Sequence, residues 1–238
     1  MEVSPEFIRF AKAVLPDQPV ICDIGSRDAL EGIYLFKKLA GKYLHVFEPN
    51  PAAAVVCRNN LEQLAGRDVY FNELAISDNI GELPFYPVNP RLSENKDVGF
   101  SSMFRINPDY TKRRGSIVQD EAVVTSTTLD EYFAGKQAPD LLWIDAEGAE
   151  LKVLLGAAHV LRSVSLIHVE VSFRPMQLGK SLFWEIDEYL KKHGFLFHRF
   201  MEISAFRAFL YRRHLLPNPP WRLNAVFYCS RRVCAGST

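Results

Sequence analysis

Residues 141–156 read LLWIDAEGAELKVLLG and place three carboxylates, Asp145, Glu147 and Glu150, directly after a short apolar run. Carboxylates can accept hydrogen bonds from a ligand, take up a proton as general bases, or hold a hard cation. Which of these they do depends on where the chain puts them. Leu141, Leu142, Trp143 and Ile144 suit a strand with both faces buried, and Leu151, Leu154, Leu155 and Ala158 then recur at helical spacing. A strand that feeds a helix through an acidic turn sets its carboxylates at the carboxyl edge of a parallel sheet, where open α/β sheets bind ligands. Asp145 and Glu147 lie in the turn and are read as functional. Glu150, in the first helical turn, is read as complementing the helix dipole.

Two further strand ends carry chemistry of the same kind. After a strand at 20–23, the segment CDIGSRDA offers Asp23 as an acceptor for an amine or hydroxyl, and Gly25 as a point where backbone can approach a ligand closely. Only the first glycine of a G-x-G-x-x-G dinucleotide fingerprint is present, which disfavours close pyrophosphate binding. Some 25 residues on, HVFEPNP ends a second strand with Glu48, placed to accept both hydroxyls of an adenosine ribose. A third strand, 69–75, runs into Ala75, Ile76, Ser77 and Asp78, which would flank an adenine ring, with Asp78 reaching its amino group. In LIHVEVSF, His168 and Glu170 share one strand face. Glu170 lies nearer the carboxyl edge and can join Asp145 and Glu147, whereas the deeper His168 reads as a hydrogen-bonded core histidine.

The elements that must position these residues alternate. Helices are expected at 30–40, ended by Gly41, at 50–64, where Asn50 caps and Pro51 opens the helix, and at 182–193, ended by Gly194. Thr128 and Glu131 form a capping-box pattern before a short helix, and final strands fall at 195–200 and 224–229. Strands alternating with such helices imply βαβ crossovers and a parallel sheet covered on both faces. The rhythm breaks at 76–125, an irregular insertion rich in Ser, Asn, Asp, Pro and Gly with short strand patterns but no expected helix. An N-terminal helical extension at 1–19 and an Arg- and aromatic-rich connection at 201–223 complete what reads as one domain over 1–238.

Bulk composition narrows the function. The 238 residues balance 28 Lys and Arg against 28 Asp and Glu, so no global field draws the protein to nucleic acid or an acidic membrane. No apolar run spans a bilayer, and residues 1–15 lack a signal-peptide core. Cys22, Cys57, Cys229 and Cys234 have no CxxC spacing, which fits a reducing cytoplasm.

In order and spacing, CDIGSRDA, VFEPNP, LAISDNIGELPFY, TSTTLDEYF, IDAEGAELKVLLGA and IHVEVSF resemble the FkbM family of S-adenosylmethionine-dependent methyltransferases, over 20–173 and again at 224–228. The resemblance implies a Rossmann-like class I methyltransferase fold, α/β, with a mostly parallel doubly wound sheet and an antiparallel last strand. It also implies methyl transfer to a hydroxyl of a small-molecule, sugar or glycan-type acceptor. Asp23, Gly25, Glu48 and Asp145 carry over as cofactor contacts, joined here by Ser26, Arg27, Asn50 and the run from Ala75 to Asp78. The family's first loop commonly reads Asp-x-Gly-Ala-Asn-x-Gly; Ser26, Arg27 and Ala29 depart from it, and Arg27 could pair with a cofactor carboxylate or an acidic neighbour. Ser101 and Ser102, before Met103, resemble a serine-containing stretch near the reacting centre.

Methyl transfer to an alcohol needs in-line positioning, which can supply roughly 7–11 kcal/mol, and a base. Glu147, Asp145 and Glu170 are the candidates; the same three could hold Mg²⁺, but unassisted base catalysis is the reading preferred. Arg207, Arg212, Arg213 and Arg222, interleaved with aromatics, could clamp an anionic group on the acceptor. Two rivals stay open: an NAD-dependent oxidoreductase, since Glu48 suits that ribose too, and a non-catalytic nucleotide-binding partner protein. Oligomeric state is not legible.

Overall fold

The computed structural model describes residues 3–94, 98–201 and 220–229. Its main sheet has seven strands in the order β3-β2-β1-β7-β8-β10-β9. These are β1 (Val20–Ile24), β2 (Tyr43–Phe47), β3 (Val69–Asn72), β7 (Leu141–Ile144), β8 (Leu166–Ser172), β9 (Phe195–Phe200) and β10 (Arg222–Cys229). β1, β2, β3, β7 and β8 pair in parallel, and β10 runs antiparallel to both β8 and β9. A mostly parallel α/β sheet with an antiparallel last strand is the architecture expected, and the structure gives it seven strands.

Alternation along the strands builds two cores, because successive side chains leave opposite faces. On one face Ile21, Leu44, Val46, Leu141 and Trp143 pack under α1 (Pro5–Val14), α2 (Leu30–Lys38) and α3 (Pro51–Leu61). On the other, Cys22, Ile24, Phe47, Leu142, Ile144 and Val169 meet α5 (Leu129–Tyr132), α6 (Glu150–Leu155) and α7 (Phe183–Lys192). Each fully buried Leu, Ile or Phe contributes about 1.5–3 kcal/mol through burial. His168 is in the core, stacked on Trp143 at 3.4 Å between ring centroids, but its Nδ1 has no hydrogen-bond partner among the described residues. Burial alone therefore lowers its pKa to about 3.

Local signals set the helix ends. Asn50 caps α3 by accepting from the Ala52 N–H, Pro51 follows at the first position, and Thr128 accepts from Glu131 N–H ahead of α5. Three expectations need correction. The helix after β7 buries Glu150, Val153 and Leu154, while Leu155 is 44% exposed, so its buried face is rotated from the leucine stripe. The third strand stops at Asn72, and β4 (Ala75–Ile76) leaves to pair with β6 (Ala122–Thr127), which also holds β5 (Gly81–Phe85) in a second, three-stranded sheet. The 76–125 segment also contains a helix, α4 (Pro108–Arg114). Asn107 caps it and Gly115, at φ +91°, ends it. The punctuation was present in the sequence, but PDYTKRR has no apolar period.

Candidate active site

Register brings the carboxyl ends of the central strands to one level. Ile24 pairs with Phe47 on one side and with Ile144 on the other, and Ile144 pairs with Val169. The next residue on each strand is therefore Gly25, Glu48, Asp145 and Glu170, side by side along one edge. Gly25, Glu48 and Asp145 line a single cavity of about 760 Å³, within the size range of small-molecule sites. Asp23, Ser26, Arg27, Asn50, Ala75, Ile76, Ser101 and Glu147 line it too.

The first loop is built around Gly25. Its N–H and that of Ser26 both donate to Phe47 O, at 2.9 and 3.2 Å. Gly25 sits at φ +77°, and a Cβ there would lie 2.1 Å from the Asp145 carbonyl oxygen, so both conformation and space require glycine. Ala29, where the FkbM pattern commonly has its second glycine, occupies the left-handed region at φ 64° and is fully buried. The backbone bend is kept although the residue differs. Beneath the loop, the Ser26 hydroxyl donates to Asp23 Oδ2 at 2.5 Å. Burial pushes the Asp23 carboxyl up to about 7, against the Ser26 bond.

Glu48 is 6% exposed and fixed through both oxygens, Oε2 accepting from Arg27 N–H at 2.8 Å and Oε1 from Asn50 N–H at 2.7 Å. Each carboxylate oxygen can accept a second bond, so capacity for two hydroxyls remains. Burial raises its pKa, with those two amides opposing. Arg27 pairs its guanidinium with Asp28 at 3.2 Å.

Opposite lies the acidic turn. Asp145, Glu147 and Glu170 each present an oxygen within 4.8 Å of the others. Arg222 Nη1 lies 3.0 Å from Glu147 Oε1 and 2.9 Å from Glu170 Oε1. Gln177 Nε2 donates to Glu147 Oε2 at 3.2 Å, and the Ser102 hydroxyl donates to Glu147 O at 2.6 Å. Lys180, its side chain fully buried, stands 3.5 Å from Glu170 and 3.9 Å from Glu150. Glu147 is held at φ 45°, sparsely populated for a residue with a side chain. Burial first, then Glu170, push its carboxyl up to about 8, while Arg222 and Lys180 oppose. Asp145 is pushed well above its ordinary value by burial and by Glu170 and Glu147. Its buried Oδ1 has no partner among the described residues, an arrangement that a donor on a ligand would complete.

A family model described as the methyltransferase FkbM domain matches residues 23–197. The chain belongs to the FkbM methyltransferase domain family. It is 31% identical over 168 residues to the 2-O-methyltransferase NoeI of Sinorhizobium fredii, covering 69% of this chain and 68% of that protein. It is 29% identical over 164 residues to the methyltransferase sdnD of Sordaria araneosa, covering 60% and 62% respectively. Among solved structures, the precorrin-6y C5,15-methyltransferase of Geobacter metallireducens superposes with a TM-score of 0.50 at 12% identity, covering 96% of this chain and 89% of that one. That likeness concerns the fold alone.

Not every residue singled out in the FkbM pattern reaches the cavity. Ser77 and Asp78 do not line it: Lys152 Nζ lies 3.0 Å from both Asp78 oxygens, and the Ser77 hydroxyl donates to Asp78, which ties this turn to α6. Ser102 is buried and supports the Glu147 backbone, whereas Ser101 does face the cavity and accepts from Val88 N–H at 3.0 Å. Glu150 stands in the first turn of α6, the place read as complementing the helix dipole. It is fully buried, accepting from Gly148 N–H at 2.8 Å beside Lys180. Arg222 is ion-paired within the acidic cluster and not a free clamp for an anion. Arg207, Arg212 and Arg213 lie outside the described residues. Gln177 and Lys180 were missed by the sequence reading. Their one signal was position, on the loop that leaves β8 at the ligand-binding edge.

Proposed function

We propose that the chain is an S-adenosylmethionine-dependent O-methyltransferase acting on a hydroxyl of a small-molecule, sugar or glycan-type acceptor. The observation that carries this reading is the shared register level that delivers Gly25, Glu48 and Asp145 to one cavity. In it Glu48 would receive the ribose hydroxyls. Pro49, Ala75 and Ile76 would flank the adenine, and Asp145 Oδ1 and Asp23 would face the methionine end. The chain's similarity to the 2-O-methyltransferase NoeI supports oxygen as the methyl acceptor.

S-adenosylmethionine would supply an activated methyl on a sulfonium, so the residues of this chain must mainly orient and deprotonate the acceptor. Glu147 lines the cavity with its carboxyl held near 8. A base matched to neutral or slightly alkaline pH contributes about 10²–10⁴-fold. Glu147 is the proposed base, with Asp145 and Glu170 as its neighbouring carboxyl groups. Arg222 and Lys180 supply positive charge to that cluster, and the reading asks for no metal ion. The cavity lining includes Asp23, Asp28, Glu31, Glu48, Asp120, Asp145 and Glu147, a set that suits a cationic nucleoside better than a nucleic-acid backbone. No helix among the described residues is long and apolar enough to cross a membrane. Three buried free thiols, Cys22, Cys57 and Cys229, support a reducing, cytoplasmic setting.

Calorimetric titration with S-adenosylmethionine and, separately, NAD tests the cofactor: binding of the first and not the second is expected, and the reverse overturns the reading. Incubating the protein with deuteromethyl-labelled cofactor and a metabolite extract should yield a hydroxyl compound heavier by one labelled methyl group. Cofactor binding with no transfer to any compound would favour the non-catalytic alternative.

A further inference from the structure

Among the described residues, the acidic turn carries more negative charge than its surroundings balance. Asp145 and Glu147 come from the turn after β7, Glu150 from α6 and Glu170 from β8, against Lys180 from the loop after β8 and Arg222 from β10. If all were ionised, four carboxylates would face two cations in a place sheltered from water. Protons must make up the difference, and they settle where positive charge is furthest.

The two cations divide the cluster unequally. Lys180 sits between Glu150 and Glu170, within 4 Å of each. Arg222 bridges Glu147 and Glu170 from a single nitrogen and packs its guanidinium carbon 5.3 Å from the centre of the Phe100 ring. Arg222 is thus the cation in direct contact with Glu147, and its aim is fixed by a strand on one side and an aromatic face on the other. Glu147 in turn has its other oxygen held by Gln177 and its carbonyl by Ser102. Arg222 does not line the cavity.

Building on the proposed role of Glu147, we infer that Arg222 is a positioning residue that favours the ionised form of the Glu147 carboxyl and fixes its aim by direct contact, so that the last strand of the sheet governs how readily the base accepts a proton. A side chain that only braced β10 would not do this, because bracing does not move a proton equilibrium 75 residues away in sequence. A lysine at 222 could replace the charge, but it lacks the planar guanidinium that faces the Phe100 ring while one of its nitrogens reaches both carboxylates.

The test needs no acceptor. Protein labelled with ¹³C at the glutamate side-chain carboxyl is titrated by NMR, with the Glu147 signal assigned by its loss in Glu147→Gln. In Arg222→Gln the Glu147 midpoint should rise by about one pH unit or more, a tenfold change in the protonation equilibrium. Arg222→Lys should recover about half of that change, leaving a part-way rise. An unmoved Glu147 midpoint in folded Arg222→Gln overturns the inference. Should Arg222→Gln fail to give a cooperative thermal melt, Arg222→Lys alone decides: a part-way rise supports the inference and an unchanged midpoint overturns it. Calorimetry of the wild-type protein with S-adenosylmethionine is run alongside. Loss of cofactor binding there would sink the proposed function while leaving the Arg222–Glu147 coupling standing on its own titration.

Discussion

Glu48 and Glu147 line the same cavity and are held by opposite means. Glu48 takes its two hydrogen bonds from the N–H groups of Arg27 and Asn50, backbone donors that the first loop and the α3 cap provide whatever side chains stand there. Glu147 is held by Arg222, Gln177 and Ser102, side chains 75, 30 and 45 residues away. Backbone donors are rigid and uncharged, which suits a group that must present acceptors in one fixed geometry. Side-chain cations shift proton equilibria, which suits a group asked to exchange a proton.

The largest effect that would sharpen this contrast is Glu147→Gln. It should lower kcat by about 10²–10⁴-fold and remove the limb of the pH–rate profile that rises toward about 8, since the base works only when deprotonated. Affinity for S-adenosylmethionine should stay nearly unchanged; equal losses in rate and binding would reassign Glu147 to the cofactor. Next, Glu48→Gln should weaken cofactor binding about ten- to a hundredfold, from the roughly 1.5–3 kcal/mol of one charged hydrogen bond. Calorimetric affinity reads this directly, and an unaltered Kd would remove Glu48 from the cofactor site.

Gly25→Ala attacks the hinge between the two walls, where the new methyl meets the Asp145 carbonyl. Overpacking should cost about 1–3 kcal/mol of stability, seen as a lower denaturation midpoint, and a wild-type melt would mean the loop relaxes freely. The smallest effect concerns Asp23. Its carboxyl is raised from 3.8 to about 7, so the folded protein keeps a proton that the unfolded chain releases. That contribution is complete below about pH 4 and is lost as pH rises through 7. Wild type should therefore lose more stability between pH 5 and pH 8 than Asp23→Asn does in urea titrations. Parallel losses would show that Asp23 carries no such proton.

The contrast also explains what could be read in advance. Gly25, Glu48 and Asp145 were legible because each ends an apolar strand, and parallel register then aligns strand ends without further information. The Asn50 and Thr128 caps were legible because their donors lie two or three residues away. Leu155 misled because helical spacing records a stripe and not which edge of it meets the sheet. Asp78 misled because the position after a third strand does not reveal that Lys152 will claim it. The company of Glu147 was hidden for the same reason: Gln177, Lys180 and Arg222 meet it only through tertiary contacts, with no local periodicity to mark them.

Strand β10 slots between β8 and β9 and brings Arg222 with it. Until that strand is seated, the acidic residues behind the cavity have Lys180 as their one described counter-charge. Assembly of the sheet and electrical completion of that edge are therefore a single event, and a chain with β10 still loose would leave Glu147, the proposed base, without the cation that touches it.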